Sequence, residues 1–238
     1  MQVGAPRKKT AMQETAATAE RKLPLSPVDR DTVQERVYRR IREMILNGEI
    51  EPGQTITIPG LSAAFQVSAM PVREALRRLM AEQALMVVSG RSVGIPALTR
   101  ARLADLRRVR REVEGLAVAW AAERIGPAEL RLLSKMVREM ELAADARDGR
   151  RYVPANHDFH FTIYRAADSP TLFSIIESLW LQIGPYFHVL RASENWHAAN
   201  SRHRAMLEAL ERRDGAAAAD ALRRDIDEAA AALEVLLG

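Results

Sequence analysis

Cysteine is absent. Its absence excludes disulfide staples, thiolate metal sites and cysteine nucleophiles, and fits a reducing compartment. Aromatic residues make up only 5% of the chain, so its cores are built mainly from Leu, Ala, Ile and Val. No apolar run approaches the roughly 20 residues that span a bilayer. The basic start at Arg7, Lys8 and Lys9 lacks the apolar stretch that would make it a signal peptide. Together these absences predict a cytoplasmic protein with no membrane partner. Acidic excess is also missing: the net charge is +4. The imbalance sits in residues 1–100, with 15 Lys and Arg against 10 Asp and Glu, while the remainder carries 20 against 21. A positive N-terminal half favours a polyanionic partner.

What is present is enough for two domains: 238 residues, 47% hydrophobic. Residues 1–26 are rich in Ala, Thr, Lys and Gln with no sustained apolar period, and read as a flexible arm. That arm either brushes phosphates through Arg7, Lys8 and Lys9 or is simply solubilising. Residues 27–95 read as a winged helix-turn-helix. Val33, Val37, Ile41, Met44 and Ile45 recur at helical spacing, and Glu51-Pro52-Gly53 ends that helix. A short helix capped by Thr57 runs to about Phe65, burying Leu61 and Phe65. Ser68 caps a third helix, with Pro71 in its first turn and Val72, Leu76 and Leu79 facing the core. Leu85–Val88 and Val93–Ile95 form a hairpin wing across Ser89-Gly90-Arg91-Ser92. Residues 96–100 are a linker, and residues 101–238 are helical, in spans near 101–125, 128–147, 151–167, 171–191, 196–213 and 216–237. The fold class is mainly α: a winged helix-turn-helix followed by an all-helical antiparallel bundle.

A helix-turn-helix inserts the N-terminal part of its second helix into the DNA major groove. Arg73 lies in the first two turns of that helix and is the candidate for a base contact, since a guanidinium can grip a guanine edge with two bonds. Arg77 and Arg78 suit phosphates or internal ion pairs. Arg91 at the wing tip suits a minor groove or the backbone. Ser68, Ala69 and Met70 complete the face presented to DNA.

Val33–Ile95 resembles the winged head of GntR-type bacterial transcription regulators. The matching stretches are Val37–Ile45, Gly48–Gly53, the Pro71-Val72-Arg73-Glu74-Ala75-Leu76-Arg77-Arg78-Leu79 run and Gly90–Gly94. The helical remainder resembles the FCD ligand-binding domain of the FadR-like branch. Family members carry Arg and Thr after the capping Ser, where this chain has Ala69 and Met70. They also often carry Arg in the preceding helix, where this chain has Pro59. The departure implies either a different operator, read partly by apolar contact to a thymine methyl, or weaker binding.

Asn156 and His160 are four residues apart and share a helix face. His203 comes from a later helix and Asp225 from the last, so the four could converge on one divalent ion inside a bundle. Isolated histidines are more often surface or hydrogen-bonded core residues. The resemblance favours a metal, because the family's ligand positions fall on Asn156, His160, His203 and Asp225, the last replacing the usual His. Imidazole with oxygen donors suits Zn, Ni, Co, Mn or Fe. The family places a small-molecule effector, commonly an organic acid, beside the metal, and its effector Arg falls on Arg110. By spacing alone, Arg110 is equally a partner for Glu114 one turn later. Tyr164 and Tyr186 are candidates for the effector cavity, with Tyr152, Trp180 and His188.

These observations imply an effector-responsive DNA-binding regulator, with a repressor as the usual role, acting as a homodimer on a double-stranded operator. Two other classes stand beside it: a metal-dependent helical enzyme, and a protein-interaction module whose head has lost DNA binding. No paired general base supports the enzyme.

Overall fold

In the computed structural model, Met1 and residues 32–90, 92–187 and 196–237 are described. The arm (beyond Met1), Arg91 and His188 therefore lie outside the described residues. Residues 31–238 form one compact unit.

The head begins with α1 (Val33–Leu46), started by Thr32, whose hydroxyl accepts from the Glu35 N–H. Its buried face is Val37, Tyr38, Ile41 and Ile45; Val33, at the expected period, is left exposed at the helix start. β1 (Thr55–Thr57) leads into α2 (Ile58–Phe65), and the Thr57 hydroxyl caps the Gly60 N–H. Leu61 is buried as expected, whereas Phe65 is only half-buried. The next helix, α3 (Ala69–Ala81), buries Val72, Ala75, Leu76 and Leu79.

β2 (Met86–Ser89) and β3 (Ser92–Gly94) make the wing, with β3 in the middle of a β1-β3-β2 antiparallel sheet. Thr55 pairs with Gly94 and Thr57 with Ser92. The sequence reading missed β1, since three residues carry no period of their own. Two glycines are required here. Gly90 turns the wing at φ 45°, a region open mainly to glycine. At Gly94 a Cβ would lie 2.8 Å from the Gln54 carbonyl oxygen, so only glycine lets β1 approach.

The remaining described helices are α4 (Arg100–Arg124), α5 (Pro127–Asp145), α6 (Gly149–Ala166), α7 (Pro170–Phe187), α8 (Trp196–Glu211) and α9 (Gly215–Leu236). Thr99, Asp148 and Asp214 cap the starts of α4, α6 and α9 with side-chain oxygens. Three-residue connections between α5 and α6 and between α8 and α9 fold each pair back on itself. The bundle core gathers Val118, Leu133, Met140, Phe159, Ile163, Met206 and Leu222.

The two parts share a second core. Ile41, Ile45 and Leu79 of the head pack in one cluster with Leu181, Ile183 and Tyr186 of α7 and Ala230 and Leu233 of α9. Polar contacts tie its edge. Arg42 pairs with Glu177 at 2.5 Å, Arg102 donates to the Gln83 carbonyl at 3.1 Å, and the Tyr186 hydroxyl donates to the Pro96 carbonyl.

Candidate functional site

The candidate site residues fall in two places. The first is the start of α3. Ser68, Ala69, Met70, Arg73 and Arg77 are all exposed. Ser68 stands at the N-cap in extended backbone, but its hydroxyl makes no capping bond. The three arginines separate cleanly. Arg77 is held by Glu74 at 2.9 and 3.0 Å. Arg78 pairs with Glu35 and Glu82 at 3.1 Å and lies 3.7 Å over the Tyr38 ring. The Arg73 side chain makes no hydrogen bond or ion pair with any other described residue, so its guanidinium is uncommitted. Met70 is 66% exposed, a large apolar side chain at the leading edge of the reading helix.

The second is a cavity of about 240 Å³ inside the helical bundle. Arg110 of α4, Asn156 and His160 of α6, and Asp225 of α9 meet at it. Its remaining wall is largely apolar, from Tyr152, Trp180, Phe187, Trp196, Ile226 and several alanines. His160 and His203 each place Nε2 near a different oxygen of Asp225, at 3.4 and 3.5 Å. One donor atom from each of the three residues lies within 4.8 Å of the others. Both ring nitrogens of the fully buried His203 lack a hydrogen-bond partner. A buried imidazole in that state costs stability unless something else satisfies it. Two imidazole nitrogens and a carboxylate facing a common point fit a divalent transition ion.

Electrostatics reinforce this set. Burial pushes the His203 imidazole down to about 4, so at neutral pH it is the neutral form that ligates metals. Burial alone would raise the Asp225 carboxyl, but His203, His160 and Arg110 outweigh it and hold it below the usual range. Asn156 lines the same cavity one turn before His160.

The two readings of Arg110 hold together. It lines the cavity, and it is bound to the fully buried Glu114, Nε to Oε1 at 2.6 Å and Nη2 to Oε2 at 3.2 Å. Burial would lower its pKa, yet Glu114 outweighs that and raises it. Nη1 is the guanidinium nitrogen not engaged by Glu114.

Tyr164 is absent from the cavity wall. Its hydroxyl donates to Glu114 Oε2 at 2.5 Å and lies 3.4 Å from His160 Nδ1, so it orients both groups from behind. Burial, then Glu114, pushes its phenol well above the usual range. Tyr186 is also absent from the wall and serves the junction with the head. The sequence reading missed two features: Trp196, which stacks on Tyr152 at 4.9 Å, and Glu114 as a fully buried counterion. The four-residue spacing from Arg110 signalled the Glu114 pair but not its burial; nothing signalled Trp196.

The FCD domain model matches residues 105–228, and the model described as bacterial regulatory proteins, gntR family, matches residues 33–95. HTH-type transcriptional regulator McbR of Escherichia coli (strain K12) is 30% identical over 159 residues, covering 67% of this chain and 72% of McbR. The gluconate operon transcriptional repressor of Bacillus subtilis (strain 168) is 26% identical over 207 residues, covering 81% and 82%. The solved structure of E. coli McbR/YncC superimposes with a TM-score of 0.80 at 26% identity, covering 87% of this chain and 100% of that one.

Proposed function

Because this chain belongs to the GntR family of bacterial transcription regulators and carries an FCD effector-binding domain, we propose that it is a metal-dependent carboxylate sensor that represses transcription as a homodimer. Both families are families of regulators, not enzymes. The observation that carries the finer reading is the meeting of Arg110, Asn156, His160 and Asp225 at one cavity, with His203 beside Asp225.

Asn156, His160, His203 and Asp225 would hold the ion, one of Zn, Ni, Co, Mn or Fe. When bound it supplies a positive, Lewis-acidic anchor for a carboxylate. Tyr164 holds His160 and Glu114 in place. Arg110, fixed by Glu114, aims its remaining N–H groups at the effector, a fork suited to a carboxylate.

The cavity connects to DNA through α7. Trp180 and Phe187 line the cavity, while Leu181, Ile183 and Tyr186 pack against the head. An effector that favours one packing of α7 thereby favours one placement of the head. Val109, Leu116 and Trp120 form an exposed stripe along α4 at spacings of seven and four, which supports a dimer face there. Two heads read a two-fold symmetric operator, Arg73 through a base edge and Ala69 and Met70 through thymine methyl groups. Among the described residues no helix is long and apolar enough to cross a membrane, and a DNA partner supports a cytoplasmic location. The repressor role draws on relatives named as repressors.

Elemental analysis of the purified protein tests the site. One equivalent of a transition metal per chain is expected, with a large loss in His160→Ala and Asp225→Ala. Equal metal in all three samples overturns the ligand set. Selection of genomic fragments should return a palindrome bound by the wild type and lost by Arg73→Ala. A folded dimer that enriches no site at low salt overturns the operator reading.

A further inference from the structure

The cavity wall also constrains the part of the effector that does not touch the metal or Arg110. We propose that the effector is a monocarboxylate whose remaining body is small, flat and apolar, the size of one aromatic ring. This rests on the reading of the cavity as a carboxylate site and narrows the class of ligand.

Charge sets the number of carboxylates. Arg110 and Glu114 cancel as a bound pair, the imidazoles are neutral as ligands must be, and Asp225 leaves one negative charge. A divalent cation turns that into one positive charge, which a single carboxylate neutralises. A second or third carboxylate would bring unpaired negative charge against a largely apolar wall, where it is disfavoured.

The polar groups set the body. Those free to meet a ligand cluster at one end: Arg110, Asn156, His160 and Asp225. Among the described wall residues, Tyr152 and Glu228 are already committed, whereas the Trp196 indole N–H is not. The Tyr152 hydroxyl donates to Asn200 Oδ1 at 3.1 Å, and Glu228 Oε1 accepts from Arg202 Nε and Nη2 at 2.8 and 2.6 Å. Trp180 Nε1 and Glu228 Oε2 lack partners, but both atoms are fully buried and do not face the cavity. Beyond the polar end the wall is Trp180, Phe187, Trp196, Ile226, Ala229 and Ala232. Among the described residues a ligand hydroxyl placed there finds only the Trp196 indole N–H as a side-chain partner, so each further hydroxyl lowers affinity by about tenfold.

Shape sets the size. Trp196 lies on Tyr152 with ring planes 8° apart, and Trp180 meets Phe187 edge to face at 5.6 Å. These ring faces are flat, and Ala229, Ala231 and Ala232 of α9 line the cavity with them. The volume of about 240 Å³ lies below the roughly 300–1,000 Å³ typical of sites for drug-sized ligands.

Calorimetry and thermal shift on the full-length, zinc-loaded protein test the class. The probes are phenylacetate, its neutral amide phenylacetamide, the polyhydroxy acid gluconate and the tricarboxylate citrate. Phenylacetate should bind at least 100-fold more tightly than gluconate, citrate or the amide. Ala229→Leu and Ala232→Leu, which fill the apolar end, should each weaken phenylacetate at least tenfold with metal content unchanged. Gluconate or citrate binding as tightly as phenylacetate overturns the inference. So does phenylacetate failing to bind metal-loaded protein, or binding unchanged in both Leu variants. Failure of the underlying site reading looks different: phenylacetate still binds preferentially, but equally well after metal removal and in His160→Ala.

Discussion

Replacing Glu114 with Gln puts a number on the charge held inside the bundle. The Glu114 side chain is fully buried, and its oxygens accept from Arg110 Nε at 2.6 Å, Arg110 Nη2 at 3.2 Å and the Tyr164 hydroxyl at 2.5 Å. An amide keeps the shape but exchanges one acceptor for a donor. Arg110, only 5% exposed, then faces an N–H group and loses its counterion. Breaking a buried ion pair by removing one partner costs about 3–5 kcal/mol. Asp225 also favours the Arg110 charge, which places the expected loss near the lower end, about 3 kcal/mol. For a chain of this length that is a fall in Tm of about 6–12 °C. Differential scanning calorimetry and urea unfolding of metal-free protein measure it. The double variant Arg110→Met/Glu114→Leu removes both charges, so it should recover most of the lost stability. It should nonetheless bind no carboxylate, because the fork is gone. A Glu114→Gln protein within about 1 kcal/mol of wild type would refute the reasoning, since it would mean that water or another group serves Arg110 equally well.

Arg73→Ala should weaken operator binding by about 1–3 kcal/mol per half-site, whereas Arg77→Ala, with its guanidinium already held by Glu74, should change it far less; fluorescence anisotropy at fixed salt reads both, and equal losses sink the distinction. Gly94→Ala forces a Cβ to 2.8 Å from the Gln54 carbonyl oxygen, so β1 must part from β3, at a cost of about 1–3 kcal/mol; DNA binding should fall while effector binding holds, and an unchanged head would contradict the sheet geometry. Burial and the bond to Glu82 raise the Tyr38 phenol from 10.0 to about 12. The folded state therefore favours the protonated phenol, and the resulting stability is complete below pH 10 and lost as pH rises through 12. It amounts to about 2–3 kcal/mol. Unfolding curves from pH 9 to 12 should show a decline that is shallower in Tyr38→Phe, and parallel curves would exclude the effect.

Most helix starts were legible because they carry their own chemistry. Thr57, Asp148-Gly149 and Gly126-Pro127 announce breaks and caps before any tertiary contact forms. Ser68 also marks a start, yet its hydroxyl does not cap, so position was readable and bonding was not. β1 could not be read, because Thr55–Thr57 become a strand only once β3 is beside them. The His160, His203 and Asp225 cluster was legible through likeness to a known pattern. The cavity was less so. Tyr152 and Trp180 line it, and Tyr164 and Tyr186 do not, although all four recur at helical spacing. Periodicity says that a side chain is buried, not which neighbour it meets, and α7 is buried on more than one side.

That double burial makes the head and the bundle inseparable as engineering parts. Gly184 leaves only the space that Leu46 of α1 already approaches; a Cβ there would stand 3.3 Å from Leu46 Cδ2. A sensor chimera made by cutting at the linker and splicing this head to a foreign FCD domain would leave Ile41 and Ile45 facing a surface shaped for another partner. The smallest transplantable piece is residues 32–99 together with the faces that meet it: Glu177, Leu181, Ile183, Gly184 and Tyr186 of α7, Arg102, Leu103 and Leu106 of α4, and Ala230 and Leu233 of α9. Operator preference and effector preference can be recombined in this scaffold, but only with the seam carried along.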